Sequence, residues 1–387
     1  MAATSAFAQT VTITGTADVA LTSKAVYGGD NKLFAKTAGV TDGLNAPNRI
    51  MLTVQEDLGG GLKATFFNEH AISPTNAADW GTRTAAAGPN YIGGRASSTT
   101  DSQIPSDAGT STGTNRQTYV ALDGGFGQVR AGYLVASIYN ASAQSGYFLG
   151  VEQYGALLKD FGMAEVGNNR ATGVQYTSPK FGMFTGTVQK LNGTDRNVTA
   201  DFGNQPYTEN SVNRYAYRLD MDAGALKATY VRDDYKALKS GANGVTNTSL
   251  FGVVSTTSAA NSDVTATHDH FSTKYTIGAV DLTWQYNKLD LVNNTTAASS
   301  RSGSSNQYGA QYTFGAASVY AITGKGHMDS PTARVNSLTG NQYGVRYNLS
   351  KRTVVYAMAG TSKDSVPTGA TQISKGTFNG FGLMHNF

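Results

Sequence analysis

Three short stretches carry side chains at spacings that can do chemistry. Gly109-Thr110-Ser111-Thr112-Gly113 matches the Gly-x-Ser-x-Gly pattern of a nucleophilic serine. That pattern works at a strand-to-helix elbow with a histidine nearby. Here it lies in a polar loop with neither, and reads as coincidence. His268-Asp269-His270 puts two imidazoles on one face of a strand, a pair that could hold a metal. The plainer reading is a polar rim where a loop enters a strand, and it is preferred. Gly59-Gly60-Gly61 joins two strands and opens no helix, so it is no phosphate loop. With five His and no Cys in the chain, thiol catalysis, zinc–thiolate sites, iron–sulfur clusters and disulfides are excluded. No Ser, His and orienting partner come together. The expectation is a protein that is not an enzyme, with no metal and no cofactor.

What could do work instead is charge held at alternate positions. Val280-Asp281-Leu282-Thr283-Trp284-Gln285-Tyr286-Asn287 has Val, Leu, Trp and Tyr on one parity and Asp, Thr, Gln and Asn on the other. A strand sends successive side chains to opposite faces, so this segment has one apolar and one polar face. Gln342 to Leu349 repeats the pattern, as do Gln307 to Phe314 and Thr10 to Leu21. Among 387 residues there are 45 Gly, 21 Tyr and 16 Phe, with 40% apolar and only 14% charged residues. The net charge of +4 is too small and dispersed for nucleic-acid binding. No apolar run is long enough for a membrane helix.

Sixteen such strands are predicted, near 10–24, 48–57, 62–71, 115–123, 127–135, 168–178, 182–190, 212–222, 224–233, 267–277, 279–289, 305–314, 316–325, 340–349, 352–361 and 374–387. Seven tight connections alternate with eight long ones, near 25–47, 72–114, 136–167, 191–211, 234–266, 290–304, 326–339 and 362–373. Repeated alternation with aromatic residues near strand ends is the pattern of a transmembrane β-barrel, apolar outward and polar inward. The fold class is therefore all-β, a 16-stranded antiparallel transmembrane barrel with short periplasmic turns and long extracellular loops. No linker divides it, so residues 9–387 form one domain. Residues 1–8 read as the tail of a secretory signal, because Ala6-Phe7-Ala8 has the small-x-small form that precedes cleavage.

At this point the sequence resembles the general porins of Gram-negative bacteria, the β-proteobacterial type above all. Asn115-Arg116-Gln117-Thr118-Tyr119-Val120-Ala121-Leu122 followed by Gly124-Gly125-Phe126-Gly127-Gln128-Val129-Arg130-Ala131-Gly132 looks like that family's fourth strand, turn and fifth strand. Val174-Gln175-Tyr176-Thr177-Ser178-Pro179-Lys180-Phe181-Gly182 looks like its sixth-strand end, and the chain closes on Gly382-Leu383-Met384-His385-Asn386-Phe387. The resemblance implies an outer-membrane homotrimer of water-filled pores in contact with lipid and lipopolysaccharide. It implies that Phe387 is read by the barrel-assembly machinery. It also implies that the third long loop, residues 136–167, folds inward and narrows the pore. Tyr139, Glu152, Lys159, Asp160 and Glu165 are its candidate constriction residues. The loop lacks the enterobacterial Pro-Glu-Phe-Gly segment.

The resemblance further implies an arginine wall facing that loop. Arg49 matches it and reads inward, because Ile50, Leu52 and Val54 take the outward parity. Arg116 matches the fourth-strand arginine, with Tyr119 and Ala121 assigned outward. Arg130 reads inward between Val129 and Ala131. Arg170 falls on the lipid parity of Val174 and Tyr176, so it needs the aqueous end of its strand or a bulge. Where relatives often carry a further arginine, this chain has Tyr133. Lys24, Arg214, Arg218, Lys227, Lys274 and Arg346 are other inward cations, and Asp18, Asp57, Asp220 and Asp281 inward acids. The function expected is passive diffusion of ions and small anionic or neutral hydrophilic solutes, with anion preference. The alternatives are a substrate-selective channel, in which Tyr133, Tyr139 and Tyr147 begin a track, and a barrel that displays its loops as an adhesin or receptor.

Overall fold

The computed structural model describes residues 9–28, 33–42, 45–46, 48–72, 74–75, 115–138, 141, 170–193, 209–240, 248–250, 253–255, 262–294, 300–364 and 373–387. The expected processing segment, residues 1–8, lies outside them. The first strands are β1 (Gln9–Gly28), β2 (Leu33–Asp42), β3 (Arg49–Gly59), β4 (Leu62–Ala71), β5 (Asn115–Gly124) and β6 (Gly127–Val135). Then come β7 (Arg170–Thr177), β8 (Phe184–Gly193), β9 (Glu209–Ala223), β10 (Leu226–Ser240), β11 (Thr248–Leu250), β12 (Val253–Ser255) and β13 (Ser262–Ile277). The chain ends with β14 (Val280–Asn293), β15 (Arg301–Phe314), β16 (Ala317–Asp329), β17 (Arg334–Asn348), β18 (Thr353–Asp364) and β19 (Ile373–Asn386).

β11 and β12 pair with each other, and the remaining strands form a single antiparallel sheet. The sheet closes where β1 meets β19, from Thr16 opposite Asn386 to Gly28 opposite Ile373. β3 runs along Gln9 to Thr16 of β1, and β2 along Val19 to Tyr27. Those two strands share one position in the wall, so the barrel has sixteen. The sequence placed residues 25–47 in a loop. β2 forms there because β1 continues past Lys24 and exposes backbone groups that need partners. β10 and β13 lengthen in the same way into the stretch read as the loop 234–266.

Three tight turns use the same dipeptide, Gly224-Ala225, Gly278-Ala279 and Gly315-Ala316. Their glycines have φ of 76°, 58° and 61°. A two-residue hairpin matches the twist of its strands only with such positive φ, which glycine adopts without steric cost.

Burial is inverted relative to a soluble protein. Val11, Ile13 and Leu21 on β1, Tyr308 and Tyr312 on β15, and Tyr343, Val345 and Tyr347 on β17 are exposed on the outside. Gln285, Gln307 and Gln342, on the other parity, are buried against the interior. Two apolar clusters interrupt the polar interior. One joins Ala20, Val354, Tyr356, Met358, Phe378 and Met384 of β1, β18 and β19. The other joins Leu134, Ala136, Ile138, Ala141, Ala171, Leu191, Ala216 and Val231, from β6 to β10. Counted around sixteen positions, these clusters lie on opposed walls.

Candidate pore lining

Arg49 opens β3, opposite Ala71 of β4. Ile50, Leu52 and Val54 take the outer parity, so Arg49 faces the interior as expected. Its Nη1 is 3.4 Å from Glu69 Oε1, and its side chain is 31% exposed.

Arg116 also faces inward, by a route the alternation did not indicate. Val120 and Leu122 are the exposed residues of β5 and Ala121 is buried. Tyr119 stacks on Phe67 with ring centroids 5.1 Å apart and packs against the inner apolar cluster of β6–β10. Tyr119 and Ala121 therefore point inward, which corrects the expected parity. The register between β4 and β5 then shifts: Glu69 pairs with Gln117 but His70 with Asn115. Arg116 is the extra residue of this bulge, and bulges re-aim side chains. Arg116 and Gln117 are both buried as a result, Arg116 to 4% exposure. Arg116 Nε donates to Glu69 Oε1 at 2.9 Å.

Glu69 was not among the acids singled out in the sequence. Lys63, Thr65 and Glu69 share a parity opposite Leu62, Ala64 and Phe66, so the signal was present. The carboxylate is 6% exposed and sits between two guanidinium groups.

Arg130 lies lower on the wall. It pairs with Ala121, which pairs with Thr65, four residues nearer the turns than Glu69. Four residues of a tilted strand span roughly 10 Å, so the arginines form a ladder and not a ring. Arg130 Nη2 donates to Gln175 Oε1 at 2.6 Å, and the guanidinium lies 5.0 Å from the Tyr119 ring centroid. Among the described residues it has no carboxylate partner.

The root of the third loop is anchored beside this ladder. Ser137 N donates to Gln189 Oε1 at 2.9 Å, and Gln189 Nε2 donates to Val135 O at 2.8 Å and Gln175 Oε1 at 3.1 Å. Gln175 Oε1 thus accepts from both Arg130 and Gln189. Ala136, Ile138 and Ala141 are buried on the inner wall. Tyr139, Tyr147, Glu152, Lys159, Asp160 and Glu165 lie outside the described residues. Arg170 opens β7 opposite Val135, and its side chain also lies outside them. Tyr133 pairs with Thr118 and Thr172 on the parity of exposed Val120 and Val174, so it does not begin a track through the interior.

Most other inward charges are matched. Arg214 is buried against Asp233, and Arg218 Nε lies 2.7 Å from Asp220. Lys274 is 3.7 Å from Asp281, and Lys227 3.4 Å from Asp222. Arg346 is half-buried inside and has no ion pair among the described residues. The Lys24 side chain is outside them. His268 and His270 are fully buried on the inner wall, well inside any rim, and Asn287 Oδ1 accepts from His268 Nε2 at 3.2 Å and His270 Nδ1 at 2.7 Å. No group of three metal-ligand side chains occurs among the described residues.

A closed antiparallel barrel with an apolar outside and a charged inside defines an outer-membrane barrel protein. The chain belongs to the Gram-negative porin family, whose sequence profile matches residues 1–366, and its place is the outer membrane. Over 136 residues, 35% of this chain, it is 36% identical to the major outer membrane protein P.IB of Neisseria gonorrhoeae, a match spanning 29% of that protein's length. Its fold is like that of the anion-selective porin from Comamonas acidovorans, with a TM-score of 0.68, 19% identity, and 98% of this chain and 100% of that one covered. It is also like Salmonella typhi OmpF, with a TM-score of 0.59, 13% identity and 97% of each chain covered. At these identities the likeness is one of fold.

Proposed function

We propose that the protein is a homotrimeric channel for passive diffusion of ions and small hydrophilic solutes, with anion preference. One observation carries the preference: Arg49, Arg116 and Arg130 stand on neighbouring strands and, among the described residues, one carboxylate, Glu69, pairs with Arg49 and Arg116. A surplus of fixed cations in a narrow aqueous path raises the local anion concentration, and salt screens that effect beyond about 8 Å at physiological ionic strength. The name of the Comamonas protein, an anion-selective porin, agrees with this reading. Lipopolysaccharide around the barrel and recognition of Phe387 by the assembly machinery belong to the same proposal. The test is the reversal potential of purified protein in a planar bilayer under a KCl gradient. Conductance steps in threes with an anion-selective potential are expected. A cation-selective potential overturns the arginine argument, and absence of conductance from folded protein overturns the open pore.

A further inference from the structure

Asn45 and Ala46, between β2 and β3, pack on the apolar cluster of β1, β18 and β19, on the wall opposed to the cluster that holds Ala136, Ile138 and Ala141. Asp42 of β2 pairs with Val19, and Arg49 of β3 with Thr16. Only Ala17 and Asp18 of β1 stand between those pairs, so two residues would keep β2 and β3 in one continuous strand. The chain instead has six there, residues 43–48, and of these Asn45, Ala46 and Asn48 are held on the inner side of the wall.

Asp18 holds it. Asp18 lies on the inner parity of β1 and is 0% exposed. Its Oδ2 accepts from the backbone N–H of Asn45 at 2.6 Å and of Ala46 at 2.7 Å, and its Oδ1 accepts from Tyr356 Oη–H at 2.5 Å. Asn48 brackets the Asp18 backbone, with Nδ2 donating to Asp18 O at 3.0 Å and Oδ1 accepting from Asp18 N. Asn45 Nδ2 lies 3.1 Å from Met384 Sδ, and Ala46 packs on the cluster of Tyr356, Met358 and Phe378. A carboxylate accepting two backbone N–H groups supplies strong, charge-assisted hydrogen bonds. Each partner faces the interior, so Asn45, Ala46 and Asn48 lie inside the wall.

We propose that the chain at Asn45, Ala46 and Asn48 is a second constriction element that, with the root of the third loop, narrows the channel from two sides. The proposal rests on the open-pore reading above. Asn48 directly precedes Arg49, so solutes passing that cation pass these residues too. Asn45, Ala46 and Asn48 are uncharged, so the element sets size exclusion, while the arginine ladder sets charge preference.

The test is single-channel conductance of a variant lacking four residues of 43–48, with folding verified by heat-modifiable electrophoretic mobility. A rise of roughly 1.3- to 2-fold is expected, since pore-lining bulk limits the path. Unchanged conductance in folded variant overturns the proposal. If that variant does not fold, Ala46→Cys decides, because the chain has no other cysteine. A charged, water-soluble methanethiosulfonate reagent should lower the current through Ala46→Cys channels. No change in current overturns the proposal. Wild-type protein that folds but does not conduct removes the open pore and this inference with it; conducting wild type beside an indifferent variant removes the inference alone.

Discussion

Glu69 Oε1 accepts from Arg116 Nε at 2.9 Å, and this pair sits at the bulge that turns Arg116 into the bore. Arg49 reaches the same oxygen from the neighbouring strand. Among the described residues this one buried acid holds both cations and offsets part of their charge. In Glu69→Gln the offset is lost, and the reversal potential should move toward the anion limit. Removing one partner of a buried ion pair costs about 3 kcal/mol or more, so the variant should also unfold at lower urea.

Arg130 has Gln175 and Tyr119 as neighbours, both neutral. Among the described residues its charge is not offset locally, unlike that of Arg116. Arg130→Gln should reduce anion preference more than Arg214→Gln, whose charge Asp233 already matches. The difference should be largest in dilute KCl and shrink as salt shortens the screening length. Equal effects of the two substitutions would show that local pairing does not govern selectivity.

Gln189 ties the loop root to the wall through Ser137 N and Val135 O. Gln189→Ala leaves Ser137 N without that acceptor, and a lost hydrogen bond of this type costs about 1 kcal/mol. The barrel should fold normally. Open-channel current noise should increase, because the loop root is held less firmly. Noise spectra of single channels check this.

Gly15 lies under the ring of Phe387 at the closing seam. A Cβ there would stand 2.3 Å from Phe387 Cζ and 2.6 Å from Arg49 O. Gly15 N also donates to Phe387 O at 2.8 Å. Gly15→Val should therefore impair closure, seen as loss of the heat-modifiable folded band. Adding Phe387→Ala should not restore it, because the Arg49 carbonyl still blocks the Cβ.

Val345 lies on the exposed outer face of β17, between Val319 and Ala357. An arginine at the bilayer midplane costs roughly 2–4 kcal/mol in such barrels. That cost falls to about 1 kcal/mol or less near the interfaces, and Val345 lies close to the turn-side end of β17, so Val345→Arg should lower stability in lipid by about 1 kcal/mol. Arg346→Val, one residue on and facing inward, should not. Urea titration in vesicles distinguishes the two.

The alternation in the sequence determined most of the strands, the lipid face of most of them, and how many positions the wall has. Side-chain direction along a strand repeats every two residues, and that is a local property. It was sufficient for Arg49, whose neighbours Ile50, Leu52 and Val54 leave no ambiguity. The tight turns at Gly278 and Gly315 were equally legible, because positive φ is a demand on single residues. Where apolar residues occupy both parities, as in Tyr119-Val120-Ala121-Leu122, period two gives no answer. Only pairing with β4 fixed that strand, and only the bulge at Arg116 brought its guanidinium to Glu69. The inward placement of Asn45, Ala46 and Asn48 was likewise decided by tertiary structure. A count of unpaired positions on β1 is a property of two strands together, and Asp18 finds Tyr356 across 338 residues of chain.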